Sequence, residues 1–437
     1  MGKRKLISQP TAGLHGELLL PGDKSISHRA LLIGSISSGT TVIKHFLHSA
    51  DCLSTLQAIR DLGITVTEQG NDIVVHGQGL TGLQAPANPL DMGNSGTTTR
   101  LIMGLLAGQD FQSVLTGDSS LQKRPMRRVS DPLSTMGADI QTAPAGTLPV
   151  KITGQPLHGV HIKLPVASAQ VKSALILAAL QADRSSTIIE KLPTRDHTEI
   201  MLRKFGADVQ TAPDHLTITV KPQPELKGQT VDVPGDMSSA AFFLTAATIV
   251  PHSDIILRNV NINTTRTGIL DALLKMGANI QVTALPSSGE PAADLRVRSA
   301  DLSPLDLGEK DIPAIIDELP LIALLAACTP GRSTITGAQE LRFKETDRIA
   351  VIAQELRKLG VSIQELPDGL IIEGQETWRP VDPTLDSHGD HRIGMMMAIA
   401  ALRSTTALLL RNPEAVAVSY PEFFVDLNSL LTKEKEL

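Results

Sequence analysis

Apolar residues along this chain fall into two alternating textures. One is a helical stretch in which small and apolar residues occupy nearly the whole circumference, opened by polar residues. It recurs at Ser25–Gly34, Ser95–Gly104, Ser168–Ala178, Ser238–Ala247, Asp317–Ala326 and Asp390–Ala400. The other is the phrase Leu-x-x-(Leu/Met/Phe)-Gly, followed within three residues by Ile or Val. It ends at Gly63, Gly137, Gly206, Gly277 and Gly360, with Ile59 standing for the first Leu. Each such phrase predicts a helix stopped by a C′ glycine and followed by a strand. Short β-branched runs between the two textures, Ile73–Val75, Val160–Ile162, Leu216–Val220 and Leu370–Ile372, read as further strands. The chain is therefore an α/β protein made of six copies of one unit.

A helix apolar all round must lie in a domain interior, with its N-terminal end reaching the surface. That end offers unpaired N–H groups and the positive pole of the helix dipole, which together favour an anion. Six such ends can converge on one place. Six units divide into three and three, with a crossover at Val233-Pro234-Gly235-Asp236 and a second near Leu20-Pro21-Gly22. This predicts residues 21–234 as one domain and residues 1–20 plus 235–437 as the other.

Composition narrows the function. At 437 residues the chain exceeds what one hydrophobic core usually serves, and 41% hydrophobic residues supply two. A net charge of −6 with 2% aromatics argues against nucleic acid, which needs a basic field and stacking platforms. Any anion site must be a local basic cluster. Cys52 and Cys328 are too few for a disulfide framework or a four-thiolate metal site, and read as buried small hydrophobes. The basic opening Met1 to Leu6 lacks a following apolar segment of the signal-peptide kind, and runs such as Leu319 to Cys328 are too short for a bilayer. A cytoplasmic, soluble monomer acting on small molecules, with no membrane partner, is expected.

The helix starts carry the chemistry. Gly22-Asp23-Lys24-Ser25-Ile26-Ser27-His28-Arg29 sets an ammonium, a hydroxyl and a guanidinium within about a turn of a helix start, a phosphate site without the Walker spacing. Gly93-Asn94-Ser95-Gly96-Thr97 follows in the second copy, with Gly96 admitting a close backbone approach. Lys123-Arg124-Pro125-Met126-Arg127-Arg128 is a charge run of which one or two members should touch substrate. Ser168-Ala169-Gln170 adds neutral donors, and Thr194-Arg195-Asp196-His197-Thr198 reads as a helix cap with a cation. In the second half, Asp317-Glu318, Lys344-Glu345-Thr346-Asp347-Arg348 and Asp390-His391-Arg392 set carboxylates beside cations, as general acid–base chemistry on a phosphorylated substrate requires. Asp386-Ser387-His388-Gly389-Asp390-His391 has metal-capable side chains, but no HExxH or Cys/His spacing accompanies it, and no metal is expected. Any one of these is an ordinary cap or ion pair. Together they occupy the same phase of nearly every repeat, the fourth start, Asp236-Met237-Ser238-Ser239, being the conspicuously uncharged one toward its helix.

The ordered set P-G-D-K-S-x-S-H-R at 21–29, G-N-S-G-T-T-x-R at 93–100, K-R-P-M at 123–126, S-A-Q-V-K-S-A at 168–174, R-D-H-T-E at 195–199, K-E-T-D-R at 344–348 and D-H-R at 390–392 resembles the enolpyruvyl transferase family, in its branch acting on shikimate 3-phosphate. The resemblance spans essentially the whole chain. It implies a two-domain inside-out α/β barrel of six βαβαββ-type repeats, three per domain, with helices inside and sheets outside, closing over substrates at a hinge. It also implies transfer of the enolpyruvyl group of phosphoenolpyruvate to the 5-hydroxyl of shikimate 3-phosphate, with no organic cofactor. The 21–234 domain would take shikimate 3-phosphate and the other domain phosphoenolpyruvate.

Carried over by position, the shikimate 3-phosphate contacts are Lys24, Ser25, Arg29, Ser168, Ala169, Gln170, Asp317 and Lys344, with Arg195 helping. The phosphoenolpyruvate contacts are Lys24, Asn94, Gly96, Arg124, Gln170, Arg348 and Arg392. Asp317 would accept the 5-hydroxyl proton, and Glu345 with Lys24 would deliver and recover the methylene proton. Gly96 resembles the pattern sensitive to glyphosate, the family's phosphonate inhibitor. Two departures stand out. Val418-Ser419 precedes Tyr420-Pro421 where many members carry a Lys, and Ala169 stands where some carry a second Ser. The sister activity on UDP-N-acetylglucosamine goes with a Lys-Asn start and a reactive loop Cys. Here Ser25 follows Lys24, and neither Cys lies within Lys123–Arg128. A non-catalytic phosphate-binding repeat protein would keep the cations without needing Asp317 and Glu345 together.

Overall fold

Most of the helix starts and all five glycine stops foreseen from local chemistry recur in the computed structural model, which describes residues 3–8, 13–70, 72–287 and 289–431. Of the opening segment, residues 1, 2 and 9–12 lie outside that description, as do 71, 288 and 432–437. Six buried small-residue helices span Lys24–Ser35, Gly96–Leu106, Ala169–Ala179, Met237–Ile249, Leu319–Cys328 and His391–Ala401. Five begin on a side-chain cap: Asp23 accepts from the N–H of Ile26, Ser95 from Thr98, Ser168 from Val171, Asp236 from Ser238 and Asp390 from Arg392. The fifth in chain order, Leu319–Cys328, has Pro320 in its first turn instead, where a missing N–H costs nothing. Asp317 therefore lies in the turn before that helix rather than at its first residue. Among the described residues, His391–Ala401 is followed by one more α-helix, Phe423–Leu430.

The amphipathic helices stop as their glycines require. Gly63, Gly137, Gly206, Gly277 and Gly360 all take positive φ, at 86°, 95°, 105°, 98° and 84°. In each case the next N–H bonds back to a carbonyl five residues earlier, Ile64 to Ile59, Ala138 to Leu133, Ala207 to Leu202, Ala278 to Leu273 and Val361 to Leu356. That is the Schellman closure, which turns the chain out of the helix and into a strand. Inside the bundle, a Cβ added at Gly104 would lie 1.9 Å from the Ala174 carbonyl oxygen. The second and third small-residue helices thus meet at a separation that needs glycine.

Among the described residues the strands form six sheets, five of four strands and one of three. The second copy shows the pattern: Leu90–Asp91 lies parallel to Gln112–Thr116, which is antiparallel to Val150–Thr153, which pairs with Asp139–Thr142. Two sheets are completed by strands from far along the chain. Thr230–Asp232 lies parallel to Ser38–Lys44 in the first copy, and His15–Leu19 lies parallel to Asp254–Asn261 in the fourth. Arg4–Ile7 closes the sixth sheet against Leu408–Arg411.

The chain divides into two compact units, Gly22–Pro234 with Ser288–Glu290, and Met1–Pro21 with Gly235–Ser287 and Pro291–Leu437. Each has its own apolar core, built from its small-residue helices and the inner faces of its sheets. Cys52 is buried as expected, whereas Cys328, at the end of its helix, is only partly so. No helix among the described residues is long and apolar enough to cross a membrane.

Candidate active site

In the unit Gly22–Pro234 the helix starts are wired together by side chains. Arg29, one turn into the first helix, is buried. It donates from Nε to Thr198 Oγ1 at 2.7 Å, from Nη2 to Ser173 Oγ at 2.9 Å and from Nη1 to the Ser25 carbonyl at 2.9 Å. These acceptors are neutral, so the guanidinium charge is not discharged by hydrogen-bonding to a carboxylate. Burial pushes Arg29 down to about 10, against the pull of Glu199 and with the nearby charge of Arg195 adding to the shift. Lys24 points its ammonium to Asp51 at 3.0 Å. His28 Nδ1 meets Thr55 Oγ1 at 2.6 Å, Thr55 meets Thr98 at 2.6 Å, and Thr98 donates to the Ser95 cap at 2.6 Å. Burial drops His28 to about 3, so this chain runs through a neutral imidazole.

The second and third starts share a further set. Arg100 donates to Gln170 Oε1 at 2.5 Å and to the Pro125 carbonyl at 3.4 Å, while Gln170 donates to Thr97 at 2.9 Å. Arg124 donates to Asn94 Oδ1 at 2.7 Å. A Cβ at Gly96 would sit 3.3 Å from the Nη1 atoms of both Arg100 and Arg124. Lys123 and Arg127, by contrast, are exposed. Beneath this set, Lys172 is buried between Glu190 at 2.9 Å and Glu199 at 2.8 Å and donates to the Thr194 carbonyl at 3.1 Å. The triad pins the turn carrying Arg195 to the helix carrying Gln170.

In the other unit the second-half motifs meet around Asp317. Its carboxylate lies 3.3 Å from Lys344 Nζ, 3.9 Å from Arg348 Nη1 and 3.8 Å from Arg392 Nη2. Arg392 also donates to the Asp317 carbonyl at 2.9 Å. Arg348 is buried and forks onto Asp390, Nε to Oδ2 at 2.8 Å and Nη2 to Oδ1 at 3.1 Å, and reaches Glu345 at 2.7 Å. Burial would raise the Asp390 carboxyl, but the Arg348 guanidinium outweighs it and holds Asp390 below the usual carboxylate range. Asp386 and His388 are tied into a separate pairing, in which His388 Nε2 meets Glu355 at 2.8 Å and Lys358 meets the same carboxylate at 2.7 Å.

These two clusters are built from the motifs that mark the enolpyruvyl transferases, and the comparison with known sequences agrees. The family model for EPSP synthase (3-phosphoshikimate 1-carboxyvinyltransferase) matches residues 8–427. This chain belongs to the EPSP synthase family. The 3-phosphoshikimate 1-carboxyvinyltransferase of Lactiplantibacillus plantarum is 58% identical over 427 residues, covering 98% of this chain and 99% of the relative. Among solved structures, EPSP synthase from Acinetobacter baumannii is 44% identical with a TM-score of 0.86 over 98% of each chain. The enolpyruvyl transferase NikO from Streptomyces tendae, at 18% identity, shares the fold with a TM-score of 0.79 over 98% of each chain. The inside-out α/β architecture expected from the resemblance is thus the fold of this EPSP synthase family member.

The structure also supplies what the motifs did not. Asp51 holds Lys24 with nothing in its local sequence to mark it, and Thr198 and Ser173, both inside quoted motifs, prove to be what holds Arg29. Arg100 lies within a quoted motif and is the link between Gln170 and the 123–126 loop. Two readings need correcting. Thr194 gives its hydroxyl to Glu190 rather than to the following helix, whose Asp196 N-cap makes no side-chain cap bond. The fourth helix start is not without charge, for Asp236 caps it and pairs with buried Arg266 at 3.3 Å. Val418 ends a short 3-10 turn, Pro413–Val418, and brings no cation where many relatives are expected to have Lys.

Proposed function

We propose that this chain transfers the enolpyruvyl group of phosphoenolpyruvate to the 5-hydroxyl of shikimate 3-phosphate, giving 5-enolpyruvylshikimate 3-phosphate and phosphate in the shikimate pathway to aromatic amino acids. The observation that carries the reading is Asp317, a carboxylate oriented by Lys344 and Arg392 with a second carboxylate, Glu345, tied to the neighbouring Arg348. A base for a hydroxyl and an acid for a carbon, each fixed by a cation, are the two proton carriers this addition needs.

We assign Lys24, Ser25, Arg29, Ser168, Ala169, Gln170 and Arg195, with Asp317 and Lys344, to shikimate 3-phosphate. Lys24, Asn94, Gly96, Arg124, Gln170, Arg348 and Arg392 are assigned to phosphoenolpyruvate. Asp317 takes the 5-hydroxyl proton as that oxygen bonds to C2 of phosphoenolpyruvate, while Glu345, with Lys24, delivers a proton to the methylene carbon. In the second half of the reaction Glu345, with Lys24, takes a proton back from the new methyl group as the bond from C2 to the phosphate oxygen breaks, restoring the double bond and releasing phosphate. Cations fixed before the reaction stabilise charge without reorganising, which is where such sites gain most of their rate. With Val418 in place of a late Lys, Arg348 and Arg392 carry that part of phosphate binding. No cofactor enters any step.

The reading extends to a monomer of the cytoplasm with no nucleic-acid or membrane partner. Two free cysteines suit a reducing compartment and a net charge of −6 suits small-anion rather than nucleic-acid binding. Phosphate release by the purified protein tests the activity, with phosphoenolpyruvate plus shikimate 3-phosphate, phosphoenolpyruvate plus UDP-N-acetylglucosamine, and an Asp317→Ala control. Release with shikimate 3-phosphate alone, lost in the variant, is expected. Release with the sugar nucleotide alone would move the chain to the sister activity, and none with either would leave a phosphate-binding scaffold.

A further inference from the structure

The fourth helix start, capped by Asp236, is wired to its neighbours. Arg266, buried in the turn before the helix Gly268–Met276, donates from Nη2 to Ser238 Oγ at 2.7 Å and pairs with Asp236 at 3.3 Å. Ser238 in turn gives its hydroxyl proton to Glu318 Oε1. Glu318, buried beside Asp317, faces Arg392 Nη1 at 3.5 Å, the same nitrogen that donates to the Asp317 carbonyl at 2.9 Å. One continuous buried line therefore runs from Arg266 through Ser238 and Glu318 to Arg392.

A carboxylate as buried as Glu318 is held in place only where donors satisfy it, here Ser238 and Arg392. Ser238 is a better donor for accepting from a guanidinium, because hydrogen bonds in a chain polarise one another. Glu318 in turn restrains one arm of the Arg392 fork. We propose that Arg266, acting through Ser238 and Glu318, is a positioning residue that fixes Arg392 for phosphoenolpyruvate. This rests on the enolpyruvyl-transfer reading, in which Arg392 contacts that substrate. It also gives the Ser238 hydroxyl a role, serving the adjacent helix start rather than a ligand.

The test is steady-state kinetics of R266Q, R266K, E318Q and the R266Q/E318Q pair, each substrate varied in turn beside the wild-type protein. R266Q should raise KM for phosphoenolpyruvate about tenfold while KM for shikimate 3-phosphate moves less than about twofold, and R266K should recover part of the loss. In the E318Q background the same change should cost less than about twofold, because its route to Arg392 is already cut. Equal rises in both KM values, or an undiminished cost in the E318Q background, would overturn the proposal. If R266Q does not fold, S238A removes only the linking hydroxyl: the same one-sided rise supports the line, and unchanged kinetics overturn it. A wild-type protein without turnover on the two substrates would instead overturn the functional reading, and the positioning role with it.

Discussion

Replacing Lys172 with Met removes a buried ammonium from between two buried carboxylates while keeping nearly the same length and volume. The side chains of Lys172, Glu190 and Glu199 are 1%, 2% and 1% exposed, and the ammonium lies 2.9 and 2.8 Å from the two carboxylates. Little is lost in packing, so the cost is electrostatic. Stripping one partner from a buried ion pair costs about 3–5 kcal/mol, and an ammonium serving two carboxylates puts the variant toward the upper figure. For a unit the size of Gly22–Pro234, about 2–4 °C per kcal/mol applies, giving a Tm lower by about 6–20 °C.

The pH dependence of that deficit is diagnostic. Burial already holds the Glu190 carboxyl above its ordinary range, although Lys172 opposes the shift, and removing Lys172 lifts it further. A group whose folded pKa is raised contributes stability that is present below its unfolded value, about 4.3, and lost as pH rises through the folded value. The deficit should therefore be largest near about pH 8 and shrink toward about pH 5 as the orphaned Glu190 carboxylate takes up a proton. Calorimetric melts of wild type, K172M and K172M/E199Q across this range are the assay, and the double variant should recover part of the loss. A K172M protein melting within about 2 °C of wild type near neutral pH, or a deficit that does not change with pH, would refute the reasoning.

Three further outcomes follow from the same geometry. Asp317→Asn should lower kcat by about 10²–10⁴-fold with both substrates still binding by calorimetry, and a variant keeping more than about a tenth of wild-type kcat would remove Asp317 from the base role. Gly96→Ala places a methyl 3.3 Å from the ends of two flexible side chains, Arg100 and Arg124. It should fold with Tm changed by less than about 2 °C yet raise KM for phosphoenolpyruvate about tenfold, and an unchanged KM would show that neither guanidinium touches that substrate. Burial pushes the Cys52 thiol well up, so iodoacetamide at about pH 8 should label Cys52 only once the protein is unfolded. Cys328, partly buried with its thiol pushed up to about 12, should react only slowly in the native protein. Rapid labelling of the native protein would contradict that burial.

What could be read in advance was local. Ser95, Ser168 and Asp390 cap helices because a short oxygen-bearing side chain reaches an unpaired N–H two or three residues on, which three or four letters of sequence suffice to state. Gly206 and Gly277 end theirs because glycine alone adopts that backbone without cost. The site was legible to the same depth. Lys24, Arg29, Asp317 and Arg392 could be named as candidates because helix starts in one phase of a repeat are suited to anions. The atoms that hold them were not, since helical periodicity says which face is buried and is silent about what lies against it. Thr198 under Arg29 is 169 residues away, and Glu318 meets Ser238 across 80.

The division between the two levels is sharpest in the sheets. The repeat, its helix caps and glycine stops, and the polar residues at each start are readable from the chain, because every one of these is set within a few residues by backbone geometry and side-chain reach. That His15–Leu19 completes the sheet of the fourth copy and Thr230–Asp232 that of the first emerges only once the chain is folded. A strand's hydrogen bonds go to any edge of matching direction, and no local signal names the partner. The same holds for Lys172 between Glu190 and Glu199 and for Arg266 behind Arg392. The sign of a buried charge is written in the chain, whereas the charge that balances it is chosen by packing.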